Sequence, residues 1–145
     1  MIEVEISAVF AVLLFVCGCV LVYHRGLIRR LRKTLANREP VSPLWFGARH
    51  YADPRKAEIG SFILAKFQEL TGYDLAGVVP RDRLVADLHL DELDSLALTE
   101  ILTEVEGQFA IRIDDEEAAV IRTIGDFVEI VASKSQRTAM SSRKA

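Results

Sequence analysis

Asp94-Ser95-Leu96-Ala97-Leu98-Thr99-Glu100-Ile101-Leu102-Thr103-Glu104-Val105-Glu106-Gly107-Gln108-Phe109 is the stretch whose reading decides the fold. Leu96, Ile101, Leu102, Val105 and Phe109 recur at helical spacing, so the segment is expected to be an amphipathic helix with that face on a core. Asp94 or Ser95 can cap the free N–H groups of its first turn. Glu100, Glu104 and Glu106 fall outside the apolar face. A serine behind an aspartate at a helix start is usually a cap and nothing more, and a run of carboxylates is commonly a solvated face. The residues C-terminal to the serine give both a second meaning.

From Ser95 onward the chain resembles the acyl carrier protein family without a gap. The matching features are Asp-Ser-Leu, Glu100 five residues after the serine, Phe109, a strand-like link Ile111-Arg112-Ile113, then Asp115-Glu116-Glu117-Ala118 and Thr123-Ile124-Gly125-Asp126. The resemblance covers roughly residues 54 to 133. It implies an all-α, acyl-carrier-like four-helix bundle and a non-enzymatic role. It also implies 4'-phosphopantetheine esterified to Ser95, flanked by Asp94 and Leu96, whose thiol holds acyl-type groups as thioesters. Glu100, Glu104 and Glu106 become docking residues for a phosphopantetheinyl transferase and for acyl-loading and acyl-transfer enzymes with basic patches.

Family members read Asp-Leu, two residues, then Asp-Ser-Leu, whereas His89 to Leu93 separate Asp87-Leu88 from Asp94-Ser95 here. Three residues are extra. Placed in the loop, they leave Ser95 at the head of the helix. Placed in the helix, they put Asp91-Glu92-Leu93 where Asp-Ser-Leu belongs, and Glu92 replaces the serine. Loops absorb insertions cheaply, while three residues in a helix turn its apolar face by about 60°. Ser95 is therefore the expected attachment point. The usual glycine before Asp-Ser is replaced by Leu93, which bears on recognition by the transferase. The rival reading is an unmodified carrier-like domain that recruits a protein partner to the membrane.

Charge is segregated. The net −3 of the 145 residues conceals an acidic segment, residues 53–133, with 18 Asp/Glu against 7 Lys/Arg, and a basic one, residues 24–52, with 7 Lys/Arg against one Glu. An acidic domain of net −11 repels nucleic acid and attracts positive protein patches through a field that salt screens. His24, His50 and His89 are scattered, both cysteines (Cys17 and Cys19) lie in the apolar N-terminal run, and no glycine-rich phosphate cradle occurs. Triad, metal, disulfide and nucleotide chemistry have no support.

Ile6 to Tyr23 is 18 residues without a charge, about 27 Å of helix, and reads as one membrane span, making residues 1–23 a transmembrane anchor. Glu3 and Glu5 precede it and no Ala-x-Ala site ends it, which argues against a cleaved signal; Val16-Cys17-Gly18-Cys19 is only a loose match to a lipoprotein box. Arg25, Arg29, Arg30, Arg32 and Lys33 follow at once, so the positive-inside rule places the rest of the chain in the cytoplasm. Residues 24–37 fit either a helix on anionic headgroups or a solvated continuation of the span. Residues 38–53, with two prolines and a glycine, are expected to be a flexible linker of some 15 residues whose Trp45, Phe46 and Tyr51 sit at the membrane interface or dock on the domain.

Within 53–133, Asp53-Pro54 starts a helix with Ile59, Phe62, Ile63, Phe67 and Leu70 on one side and Gly72 at its end. A long loop to Leu93 is pinned by Leu75, Val78, Val79, Leu84, Leu88 and Leu90. Asp114 or Asp115 opens a short helix, and Thr123 with Asp126 forms a capping box for the last one, bearing Phe127, Ile130 and Val131. Residues 134–145 are polar and basic and are expected to be a disordered tail.

Overall fold

A computed structural model of the chain describes the backbone of residues 2–90 and 95–142 and the side chains of residues 9–90 and 97–140. Six helices are described: α1 (Ile2–Leu35), α2 (Pro43–His50), α3 (Pro54–Thr71), α4 (Ser95–Phe109), α5 (Asp115–Ala118) and α6 (Ile124–Ser142). No strand occurs among the described residues, only an isolated bridge between Arg83 and Thr123. The fold is all-α, with α3 to α6 as the four-helix unit that the sequence leads one to expect.

Local rules set most helix ends. The Asp53 carboxylate accepts the Arg55 N–H at 2.8 Å, Pro54 opens α3, and Gly72 closes it at φ 66°, its N–H donating to the Gln68 carbonyl at 2.9 Å. A left-handed φ at that position costs a residue with a Cβ and costs glycine nothing. Thr123 and Asp126 satisfy each other reciprocally at the head of α6: the Asp126 N–H donates to Thr123 Oγ1 at 3.0 Å and the Thr123 N–H to the Asp126 carboxylate at 2.9 Å. Helix α3 is central and packs against α2, α4 and α6. Ile59, Ile63 and Phe67 of α3, Ile101 and Val105 of α4, and Ile124, Phe127, Val128 and Val131 of α6 are fully enclosed. Leu75, Val78, Leu84, Leu88 and Leu90 join the same core from the loop, which pins it as their spacing suggests.

The chain before α3 departs from expectation. No flexible linker separates the apolar helix from the domain. Helix α1 runs unbroken for 34 residues, and Leu27, Leu31 and Leu35, one every four residues, are 6%, 3% and 8% exposed. They bury a stripe of the helix's basic end on the carrier domain, with Leu31 and Leu35 in the common core. After α1, Arg38 donates to the Gly77 carbonyl at 3.3 Å and pairs with Asp82, which is 3% exposed and also accepts the Val79 N–H at 2.9 Å. Helix α2 then lies across α3. Phe46 is completely buried, and Gly47 approaches so closely that a Cβ on it would stand 1.7 Å from the Ala57 carbonyl oxygen. Residues 38–52 are thus a docked strap. Phe46 docks on the domain, Tyr51 is half-buried beside it with ring centroids 6.3 Å apart, and Trp45 faces outward.

The expected disordered tail is corrected as well, since α6 continues to Ser142. Lys134 bonds Glu117 at 2.5 Å, and Ser135 is buried with its hydroxyl donating to the Ala132 carbonyl at 3.1 Å. A lysine anchored to α5 and a serine satisfied by its own helix keep this polar stretch helical where composition alone suggested a coil.

Candidate functional site

Ser95 stands in the first described turn of α4, and the loop before it is held as far as Leu90. The Leu84 N–H donates to the Arg122 carbonyl and the Leu90 N–H to the Leu84 carbonyl, each at 2.8 Å. Leu88 and Leu90 are buried, with His89 between them at φ 55°. The Asp87 carboxylate accepts the Arg83 N–H at 2.9 Å and pairs with its guanidinium, and these bonds hold Asp87 below the usual carboxylate range. Asp91, Glu92, Leu93 and Asp94, and the side chains of Ser95 and Leu96, lie outside the described residues.

The inner face of α4 is fixed by Ile101, Val105 and Phe109, the last meeting Phe62 edge-on with ring centroids 5.5 Å apart. The three glutamates have different surroundings. Glu100 is exposed and has no partner among the described residues. Glu104 bonds Lys66 of α3 at 2.6 Å, and Lys66 also holds Glu69 at 2.8 Å. That pair of carboxylates raises the Lys66 ammonium above its ordinary range, Glu104 contributing most. Glu106 accepts the Ile113 N–H at 2.6 Å and so supplies the acceptor for the link to α5. The link carries Ile111 and the buried Ile113 but pairs with no strand.

Neither of the last two contacts was legible in the sequence. Lys66 and Glu104 are 38 positions apart, and a glutamate that bonds a backbone N–H seven residues on obeys no helix periodicity. Among the described residues no group of three or more His, Cys, Asp or Glu could hold a metal ion.

The described residues form a helical bundle in which the acidic helix α4 begins at Ser95. Residues 61–131 match the family model described as the phosphopantetheine attachment site. The chain is 40% identical over 68 residues to the acyl carrier protein of Desulforapulum autotrophicum, covering 47% of this chain and 84% of that one. It is 32% identical over 75 residues to the acyl carrier protein of Rhodococcus erythropolis, covering 52% and 75%. With the meromycolate extension acyl carrier protein of Mycobacterium leprae it shares 34% over 74 residues, 51% of this chain and 62% of that protein. The chain belongs to the acyl carrier protein family. It is a carrier and not an enzyme, and its cofactor is phosphopantetheine.

Proposed function

We propose that this carrier is held in a membrane by α1, faces the cytoplasm, and bears its phosphopantetheine on Ser95. The observation that carries the assignment to Ser95 is its position at the head of the described part of α4, inside the matched residues 61–131. A phosphodiester there lies toward the positive end of the helix dipole. When bound, the group supplies a thiol that holds an acyl chain as a thioester. The chain's own part is to present that serine on a rigid helix whose inner face is locked by Ile101, Val105 and Phe109.

The membrane reading rests on α1. Its segment Val9–Leu35 is long and apolar enough to cross a bilayer. Phe10, Phe15, Val22 and Tyr23 are between 61% and 73% exposed, an apolar surface that water would penalise and lipid would not. The arginines from Arg25 onward set the cytoplasmic orientation, which also places Ser95 with the transferases that load it. The partners are those transferases and acyl-loading and acyl-transfer enzymes with basic patches at the membrane. Glu100 is the principal docking carboxylate, because Glu104 is already neutralised in part by Lys66 and Glu106 is engaged by the link.

Intact-mass measurement after co-expression with a phosphopantetheinyl transferase tests the site. The expected result is a gain of one phosphopantetheinyl group in the wild type and none in Ser95→Ala. An unmodified wild type, or a shift that persists in Ser95→Ala, refutes the assignment and favours an unmodified recruiting domain. A reporter fused after Ala145 that is active only outside the cytoplasm refutes the topology.

A further inference from the structure

The basic end of α1 meets the carrier domain at the loop after α3, where Leu31, Leu35, Tyr73 and Ala76 line a cavity of about 520 Å³. Leu27, Leu31 and Leu35 bury one stripe of α1. At the lower end of the seam the His24 and Tyr73 rings lie 5.8 Å apart. At the upper end the buried Asp82 is paired by Arg38, and a Cβ on Gly77 would meet Cβ of Arg38 at 3.3 Å. Helix α2 is docked separately, on α3, through Phe46 and Gly47. Its grip is doubled by the Gly47 N–H donating to Ser61 Oγ at 3.0 Å and the Ser61 hydroxyl donating to the Leu44 carbonyl at 3.2 Å. Between α1 and α2 only residues 36–42 lie outside helix, and Arg38 and Glu39 tie that turn back. The turn after Leu35 is closed by the Arg38 N–H on the Leu35 carbonyl at 3.0 Å, and Arg49 pairs back to Glu39 across α2.

We infer that residues 24–52 are a rigid mount, so that the carrier head is fixed in height and rotation relative to the spanning part of α1 and only the prosthetic arm moves. The bilayer as reference plane rests on the membrane reading of α1, whereas the mount follows from packing alone. Twelve residues from His24 to Leu35 carry the seam about 18 Å along the helix axis. Ser95 is then presented to membrane-bound partners at one distance and one bearing, and a partner is selected by where its active site stands above the bilayer. Rotation is set by the phase of α1: one residue added between span and mount turns the head by about 100° and lifts it by about 1.5 Å. Seven residues bring it back to within about 20° of its first bearing and lift it by about 10 Å.

The test uses the full chain in lipid nanodiscs with spin labels on exposed positions, after Cys17→Ser and Cys19→Ser. Distances are measured by pulsed electron spin resonance between Arg30→Cys and Gln108→Cys, across the mount, and between Val12→Cys and Gln108→Cys, from span to head. The expected result is one narrow Arg30–Gln108 distance, unchanged when one or seven alanines are inserted after Tyr23. The Val12–Gln108 distance stays narrow, shifts with one alanine, and with seven shifts as a translation along the axis. An Arg30–Gln108 distribution about 20 Å broad, which a 15-residue coil would give, overturns the mount. So does a Val12–Gln108 distance that ignores the insertions. Failure of the chain to float with phosphatidylglycerol-containing vesicles overturns the bilayer reference instead and leaves the Arg30–Gln108 distance as it was.

Discussion

Gly47→Ala asks whether α2 is a structural part of the carrier or a linker that happens to lie on it. The added Cβ would stand 1.7 Å from the Ala57 carbonyl oxygen and 2.4 Å from its carbon, against a practical limit of 3.0 Å. The obstacle is backbone, so no side chain can turn away, and the two helices must separate by more than about 1 Å. Close-packed interiors absorb little of such a shift. If α2 stays docked, the strain of overpacking costs about 1–3 kcal/mol or more. If it lifts off, Phe46 loses its site, a loss comparable with a core Phe→Ala change of about 3–5 kcal/mol. The chain takes the cheaper route, so the expected destabilisation is about 3 kcal/mol, a fall in Tm of roughly 10–20 °C for a folded unit of this size. Thermal melts of the detergent-solubilised chain by circular dichroism measure it, and tryptic cleavage after Arg49 reports detachment of α2. Gly107→Ala is the control: nothing lies within 4 Å of a Cβ there, and in the last turn of α4 the exchange should stabilise by up to about 0.5–1 kcal/mol. A Gly47→Ala chain as stable as the wild type, with Arg49 still protected, would refute the packing argument.

Glu106→Ala strands the Ile113 N–H and should cost about 1–3 kcal/mol by urea unfolding, while Glu106→Gln keeps an oxygen acceptor and should cost clearly less. Equal losses in the two variants would count against the bond. Glu100→Lys should raise the KM of a phosphopantetheinyl transferase several-fold at low ionic strength and little in high salt, with stability unchanged; a salt-independent effect would remove Glu100 from the docking face. Lys134 holds Glu117 below its ordinary value of 4.5, chiefly by a direct hydrogen bond. A group whose pKa is depressed on folding stabilises the fold above its unfolded value and ceases to do so as pH falls through the folded one. Lys134→Met should therefore be less stable at pH 7, with the gap to wild type closing as pH is lowered below about 4.5. Urea midpoints at pH 7 and pH 3 that differ by the same amount would contradict the pairing.

The sequence by itself determined what depends on neighbours in the chain. The ends of α3 follow from Asp53-Pro54 and Gly72, and the start of α6 from Thr123 and Asp126, because caps and left-handed glycines act within one turn. The buried faces of α3, α4 and α6 follow from helical periodicity, and the family and cofactor were implied by the resemblance that begins at Ser95. Only the tertiary structure decided what depends on distant partners. Residues 38–52 read as a linker because their prolines and glycine break periodicity, yet Gly47 serves to let α2 touch the α3 backbone and Phe46 fills the core. The basic end of α1 has an apolar stripe whose partner periodicity cannot name. Here it is the carrier domain, secured by an Arg38–Asp82 pair 44 positions apart. Residues 134–142 have a coil's composition, and their helix is held at its start by a lysine reaching back to α5. Glu104 and Glu106 look like Glu100 along the chain and differ from it because Lys66 and the Ile113 N–H are brought to them by the fold.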